Sequence, residues 1–186
     1  RDYAPLVVWG SYKQGQVHCS VGTDNSAGGR MAAEYLLTKG HRSLVFLGDT
    51  TGIEIAERYR GAAAAVSSFG KGATLQHVPV HLSIDEMTDE IAVALTALEG
   101  NIDGVVAASD AIATATIRQL AARGIAVPDD IAVIGFDDLP LARYTLPQLT
   151  TIRQDIATGA RRRTGCFLAV LLVGLFALPS VQAGER

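Results

Sequence analysis

The chain is short of cysteine and of positive charge, and each shortage closes a class of function. Its 186 residues hold two cysteines, Cys19 and Cys166, far apart, without C-x-x-C spacing and without clustered histidines. Neither a disulfide framework nor a zinc site is suggested, and a reducing compartment is the default. Lys plus Arg number 16 against 19 Asp plus Glu, a net charge of -3. That balance argues against a surface that holds nucleic acid mainly by neutralising phosphates. The apolar run Cys166 to Leu178 has 13 residues, whereas a bilayer span needs roughly 20, so no stable membrane span is expected. No secretory signal opens the chain. What remains is a globular composition, 48% hydrophobic, able to bury one core with a smaller satellite lobe.

The marks of catalysis are missing as well. Ser109 follows a strand and precedes a helix, the place of the nucleophile in an α/β-hydrolase, yet the glycines of a G-x-S-x-G elbow are absent. All four histidines, His18, His41, His77 and His81, precede it, whereas the hydrolase order is serine, acid, histidine. Asp129-Asp130 follows Pro128 and reads as a turn. Asp137-Asp138 lacks a partner lysine or a phosphate loop, and Gly70-Lys71-Gly72 is not a Walker motif. Catalysis is not expected, and no cofactor or metal motif is found.

What is present is an alternation of strands and helices. Pro5 to Trp9 and Val17 to Val21 read as short strands at the rim of a sheet. Asp24-Asn25-Ser26 offers an N-cap for a helix over Ala27 to Lys39, with Met31, Tyr35 and Leu36 on one face and Gly40 at its end. Gly28 and Gly29 in its first turn cost roughly 1 kcal/mol each against Ala, so a close backbone approach is expected there, by a packed neighbour or a ligand. Ser43 to Gly48 is the next strand, followed by a helix over Ile53 to Phe69. Ala73 to Val80 is a strand that Pro79 marks as an edge or an end. Ser83 and Glu86 match a capping box for a helix whose buried stripe is Met87, Ile91, Ala94, Leu95 and Leu98.

The central stretch runs from Asp103 to Tyr144. It holds a strand to Ala107, a helix over Ala111 to Arg123 with Ile112, Thr116, Ile117 and Leu120 at helical spacing, and Gly124 just past its end. A nearly continuous apolar strand, Ile131 to Phe136, follows, as expected of a parallel strand covered on both faces. The pattern is an α/β, doubly wound parallel sheet. Ligands bind beyond the carboxyl ends of such strands, where Ser109, Asp110, Asp137 and Asp138 fall.

These residues also carry a family resemblance. The stretches Val21 to Gly48, Glu57 to Ala65 and Asp103 to Asp155, with a strand-end Ser-Asp, VPDD, IGFDD and LTTIRQD in that order, resemble the effector-binding core of LacI/GalR-type bacterial transcription regulators. The resemblance implies a type I periplasmic-binding-protein-like fold, mainly its C-terminal lobe with a partial N-terminal lobe. It implies a first lobe in 1–39, a second lobe in 40–150 and a crossover back in 151–160. It further implies a small-molecule effector, most often a sugar, a cytoplasmic homodimer, and operator DNA held through an N-terminal helix-turn-helix that this sequence does not show. A sugar-binding protein of transport or chemotaxis is the alternative of the same fold. By matching position, Arg58 resembles the arginine that holds effector hydroxyls, Ser109 and Asp110 the polar pair after a strand, and Asp137 the acid of the Gly-Phe-Asp motif. Asp24 resembles the acid contributed by the other lobe. From the residues alone each keeps a plainer reading: Arg58 as a solvated charge, and Asp110, Asp138, Asp24 and Asn25 as caps or turn braces. Trp9 and Phe136 have two readings, stacking on a sugar and core packing.

Beyond Asp155 the sequence departs from the family. Three arginines, the apolar run and Val181-Gln182-Ala183 make 161–186 resemble a secretory signal placed at the wrong end. This tail is read as the product of a frameshift or gene fusion, with a buried helix as the plainer alternative. The other reading frames of the coding DNA decide between them.

Overall fold

A computed structural model describes residues 7–11, 15, 19–70 and 72–154. The tail at 161–186 and the expected crossover beyond Gln154 lie outside those residues. The chain divides into two compact units, one of Asp24–Gln154 and one formed by the remainder. In the smaller unit β1 (Val7–Trp9) and β2 (Cys19–Val21) pair in parallel as a two-stranded sheet.

The larger unit holds the core. Its elements in chain order are α1 (Asn25–Thr38), β3 (Ser43–Leu47), α2 (Ile53–Phe69), β4 (Thr74–Val78), α3 (Ile84–Ala97), β5 (Gly104–Ala107), α4 (Asp110–Ala122), β6 (Ala132–Asp137), a 3-10 turn (Pro140–Tyr144) and β7 (Thr150–Arg153). The five strands lie in the order β4-β3-β5-β6-β7, every neighbour parallel. From β3 the chain moves one way to β4, then returns past β3 to β5. The crossovers therefore put α2 and α3 on opposite faces, α2 packing with α1 and α3 with α4. The order reverses between β3 and β5, and a ligand is expected at the carboxyl ends of those two strands. β3, β5 and β6 are buried almost throughout, which is why they read as continuous apolar runs. β4 is the edge that Pro79 suggested.

Several expectations need correction. Met31 is 57% exposed and Tyr35 43% exposed, so the face that α1 buries is not theirs. It buries Asn25, Gly28, Gly29, Ala32, Ala33, Leu36 and Leu37. The cause is a helix seam of small residues: a Cβ on Gly29 would fall on the carbonyl oxygen of Arg58, and one on Gly61 of α2 would fall on that of Ser26. A Cβ on Gly28 would meet the Phe136 ring at 2.5 Å. Both glycines of the first turn thus answer to packed neighbours, not to a ligand. This seam joins α1 to α2, and α1 lies in the larger compact unit. Thr150–Arg153 is a strand paired with β6. Ser83 occupies the N-cap position of α3, but its side chain makes no capping hydrogen bond, so the capping box is not formed. The stripe of α3 and that of α4 are buried as their spacing predicts.

Candidate functional site

The polar residues at the carboxyl ends of the central strands converge on Arg58. This side chain leaves the second turn of α2 and reaches back over the end of β5, with Arg58 only 9% exposed. Its Nε donates to Asn25 Oδ1 at 2.8 Å, and Nη1 donates to the Ala108 carbonyl at 2.6 Å. The guanidinium lies over the Phe136 ring, 3.7 Å from its centroid, a favourable placement for a desolvated cation. Nη1 also stands 3.6 Å from Asp137 Oδ1. Burial lowers the pKa of Arg58, with Asp137 foremost among the carboxylates that oppose the shift, and the group stays ionised because its ordinary value is so high.

Asp137 ends β6. Its Oδ1 accepts from Gln154 Nε2 at 2.6 Å, and burial raises its pKa against the opposing pull of the Gln154 hydrogen bond and Arg58. Its backbone has φ 117 and that of Asp138 has φ 55. Two consecutive non-glycine residues in this region cost roughly 1–3 kcal/mol each, and such strain gathers where a side chain must be aimed. Among the described residues, nothing accepts from Arg58 Nη2 and nothing donates to Asp137 Oδ2. The two groups approach at 3.6 Å through Nη1 and Oδ1, and a guanidinium and a carboxylate that each keep an atom without a hydrogen bond among the described residues suit vicinal hydroxyls, which need an acceptor and a donor together.

The other expected site residues have different roles here. Ser109 is buried and caps α4, its hydroxyl accepting from the Ile112 amide at 3.3 Å. Asp110 is the first residue of that helix and not its cap. Its Oδ1 accepts from the Thr151 hydroxyl at 2.5 Å and its Oδ2 from the Leu139 amide at 2.7 Å. Burial raises its pKa against those bonds. Asp24 is exposed and caps α1 by accepting from the Ala27 amide at 2.8 Å. It is the first residue of the compact unit that holds Arg58. The structure brings Arg58 and Asp137 together and ties Arg58 to the Ala108 carbonyl, while Ser109, Asp110 and Asp24 bond to backbone amides or, for Asp110, also to Thr151.

Three participants escaped the sequence reading. Asn25, read only as a cap or brace, bridges Arg58 and Glu57, its Nδ2 lying 3.5 Å from Glu57 Oε2. Gln154 and Thr151 stand in the LTTIRQD run, and the β6–β7 register that pairs Asp137 with Arg153 is the signal that places them. Phe136 is 2% exposed. Its ring packs on Gly28 and carries Arg58, which settles it as core packing and not a sugar platform.

Known proteins resemble this chain over most of its length. A family model described as a periplasmic binding protein-like domain matches residues 33–170. The transcriptional regulator GalS of Salmonella typhimurium is 36% identical over 151 residues, covering 81% of this chain and 44% of that protein. The ribose operon repressor of Halalkalibacterium halodurans is 33% identical over 137 residues, covering 73% and 40%. The chain thus spans less than half the length of these relatives. Both are regulators, which does not favour the transport or chemotaxis reading. A LacI family transcriptional regulator from Enterococcus faecium, solved with bound ribose, superposes with a TM-score of 0.77 at 26% identity, covering 90% of this chain and 62% of that one. On the match over 33–170 and the parallel sheet that carries it, the chain belongs to the periplasmic binding protein-like domain family, as an effector-binding domain of the LacI/GalR type.

Proposed function

We propose that this chain is the effector-sensing part of a LacI-type transcription regulator and that its effector is a sugar held by Arg58 and Asp137. The observation that carries the reading is the 3.6 Å approach of Arg58 and Asp137 at the carboxyl ends of β5 and β6, with Arg58 Nη2 and Asp137 Oδ2 making no hydrogen bond among the described residues. Asn25, Ala108 and Gln154 hold the two groups from behind, so neither needs reorienting when a ligand arrives. The ribose-bound relative supports a sugar. Action by binding, not by catalysis, is supported by the relatives, which are regulators. It works as a homodimer in the cytoplasm. Contact with operator DNA belongs to the part of the regulator that the matched half of the relatives leaves out. Among the described residues, no helix is long and apolar enough to cross a membrane.

Calorimetry and thermal shift with D-ribose, D-galactose and purine bases test this. At least one sugar should raise the unfolding midpoint. Asp137→Ala should weaken that binding by about 1–3 kcal/mol, the cost of an unpaired ligand hydroxyl, with the fold retained. A sugar bound equally well by the variant removes Asp137 from the site, and purine binding without any sugar binding replaces the ligand class.

A further inference from the structure

The strained turn that aims Asp137 has a support of its own, one layer below the site. Asp110 is 2% exposed, and both of its oxygens are engaged, Oδ1 by the Thr151 hydroxyl and Oδ2 by the Leu139 amide. Thr151 does not stop there, since its Oγ1 accepts from the Asp138 amide at 3.3 Å. The amides of both residues that follow Asp137 are therefore satisfied by one Asp–Thr pair, drawn from α4 and from β7. Gly135 explains how the carboxylate fits: a Cβ there would strike Asp110 Oδ1 and come within 3.1 Å of Leu149 Cδ2. Gly135 pairs with Thr151 in the β6–β7 register, so the missing side chain, the carboxylate and the hydroxyl occupy one place in the sheet.

We propose that Asp110 and Thr151 form a buried brace, admitted by Gly135, that locks the left-handed backbone at Asp137 and Asp138 and so positions Asp137 without touching the effector. Its importance for ligand binding rests on the reading given under the proposed function. The physical case is one of exchangeable partners. An Asp138 or Leu139 amide released from the brace can turn to water, and the two residues can then relax to negative φ, the region L side chains prefer. That relaxation swings the Asp137 carboxylate away from Arg58. The brace also acts on the second holder of Asp137: Thr151 lies three residues before Gln154, so fixing β7 fixes the amide that bonds to Asp137 Oδ1. Asp110 is thus a positioning residue. A carboxylate 2% exposed, with both oxygens occupied, has no face left for a solute.

Three single variants of the full chain, Asp110→Ala, Thr151→Val and Thr151→Ser, and one double variant test the proposal without needing a known ligand. The readouts are amide hydrogen exchange at Asp138 and Leu139 and the carboxyl titration of Asp137, both by NMR. Asp110→Ala and Thr151→Val should speed exchange at both amides by about tenfold or more while amides in the middle of α4 keep their protection. In both variants the Asp137 titration should fall toward that of an ordinary aspartate as the side chain reaches water. Thr151→Ser, which keeps the hydroxyl, should match the parent. The double variant Asp110→Ala/Thr151→Val should be no worse than the more severe single one, because the two groups act as a unit. Unchanged exchange at Asp138 and Leu139 in Thr151→Val overturns the brace. So does additive behaviour of the pair, and so does a loss of D-ribose affinity in Asp110→Ala with both amides still protected, which would mean direct contact. Thr151→Val against Thr151→Ser decides the matter even if Asp110→Ala does not fold. Failure of every sugar to bind would defeat the functional reading and leave these readouts intact.

Discussion

Asp103 and Asp137 stand at opposite ends of the same sheet and are satisfied in opposite ways. Asp103 precedes β5 at the amino end. Its carboxylate accepts from the Arg42 amide at 3.0 and 2.8 Å and from the Ser43 amide at 2.9 Å. Its own amide donates to the Ser43 carbonyl, and its carbonyl accepts from the Ala132 amide. Every one of these partners is backbone, so Asp103 stitches together the starts of β3, β5 and β6. Among the described residues, the Asp137 carboxylate at the carboxyl end is held by side chains, Gln154 and Arg58, and its Oδ2 makes no hydrogen bond. A carboxylate spent on backbone amides belongs to the fold, because those amides have no other partner. A carboxylate held by side chains at a strained backbone position is available to something that arrives later.

The sharpest way to break that contrast is to remove the structural acid. Asp103→Ala leaves two partly buried amides, of Arg42 and Ser43, without their acceptor. Unfilled donors of this kind cost about 1–3 kcal/mol each, so the variant should lose about 3 kcal/mol of stability in urea unfolding. Sugar affinity per folded molecule should stay as in the parent. A stable Asp103→Ala with impaired binding would reverse the assignment of the two ends.

Arg58→Met probes the other end with a smaller expected effect. Methionine keeps much of the stem against Phe136 and removes the fork. Hydrogen bonds to a charged group contribute about 1.5–3 kcal/mol, so sugar binding should weaken by about 2 kcal/mol by calorimetry. Stability should fall as well, since Asn25 Oδ1 and the Ala108 carbonyl lose their donor, so binding is compared per folded molecule. A variant that unfolds before it loses its ligand would put Arg58 with Asp103 among the fold-holding charges.

How much of this was legible beforehand follows from what kind of information each residue carries. The apolar runs of β3, β5 and β6 and the stripes of α3 and α4 are periodic, and periodicity is what sequence displays. The α1 face was misread because its packing surface is made of absences. Gly28, Gly29 and Ala32 give no apolar signal, whereas exposed Met31 and Tyr35 do. At the site, Arg58 and Asp137 could be named from the resemblance, but the division of labour around them could not. Asp110, Ser109 and Asp24 are all acids or hydroxyls after a strand or before a helix, and only hydrogen-bond geometry shows that each is already committed. Asn25 and Gln154 sit 33 and 17 residues from the side chains they bond, and no local pattern links such positions. Their register comes from the α1–α2 seam and from β7.

The smallest expected effect separates the two ends by pH. Burial raises the pKa of Asp137 and of Asp110 in the folded chain. In the window above the ordinary aspartate value of about 3.9, the folded state therefore keeps protons that the unfolded state has released. More protons bound in the native state means that stability falls as pH rises through that window. The surface groups behave differently. Hydrogen bonds from Thr51 lower Asp49 and bonds from His81 lower Glu90, so their contributions are present above the ordinary carboxylate range and are lost as pH falls below it. His81, raised by its hydrogen bond to Glu90, contributes below its ordinary value and loses that contribution as pH rises through the higher folded value. These exposed contributions fade in high salt, whereas the buried ones persist. Urea midpoints taken in high salt from about pH 4 to about pH 6 should therefore decline with pH, since the carboxyls concerned start from about 3.9. Asp137→Asn, which cannot titrate and whose side chain tolerates a positive φ, should flatten that decline. A parent whose midpoints rise across the window, or a variant that keeps the full slope, would show that Asp137 is as settled in its place as Asp103.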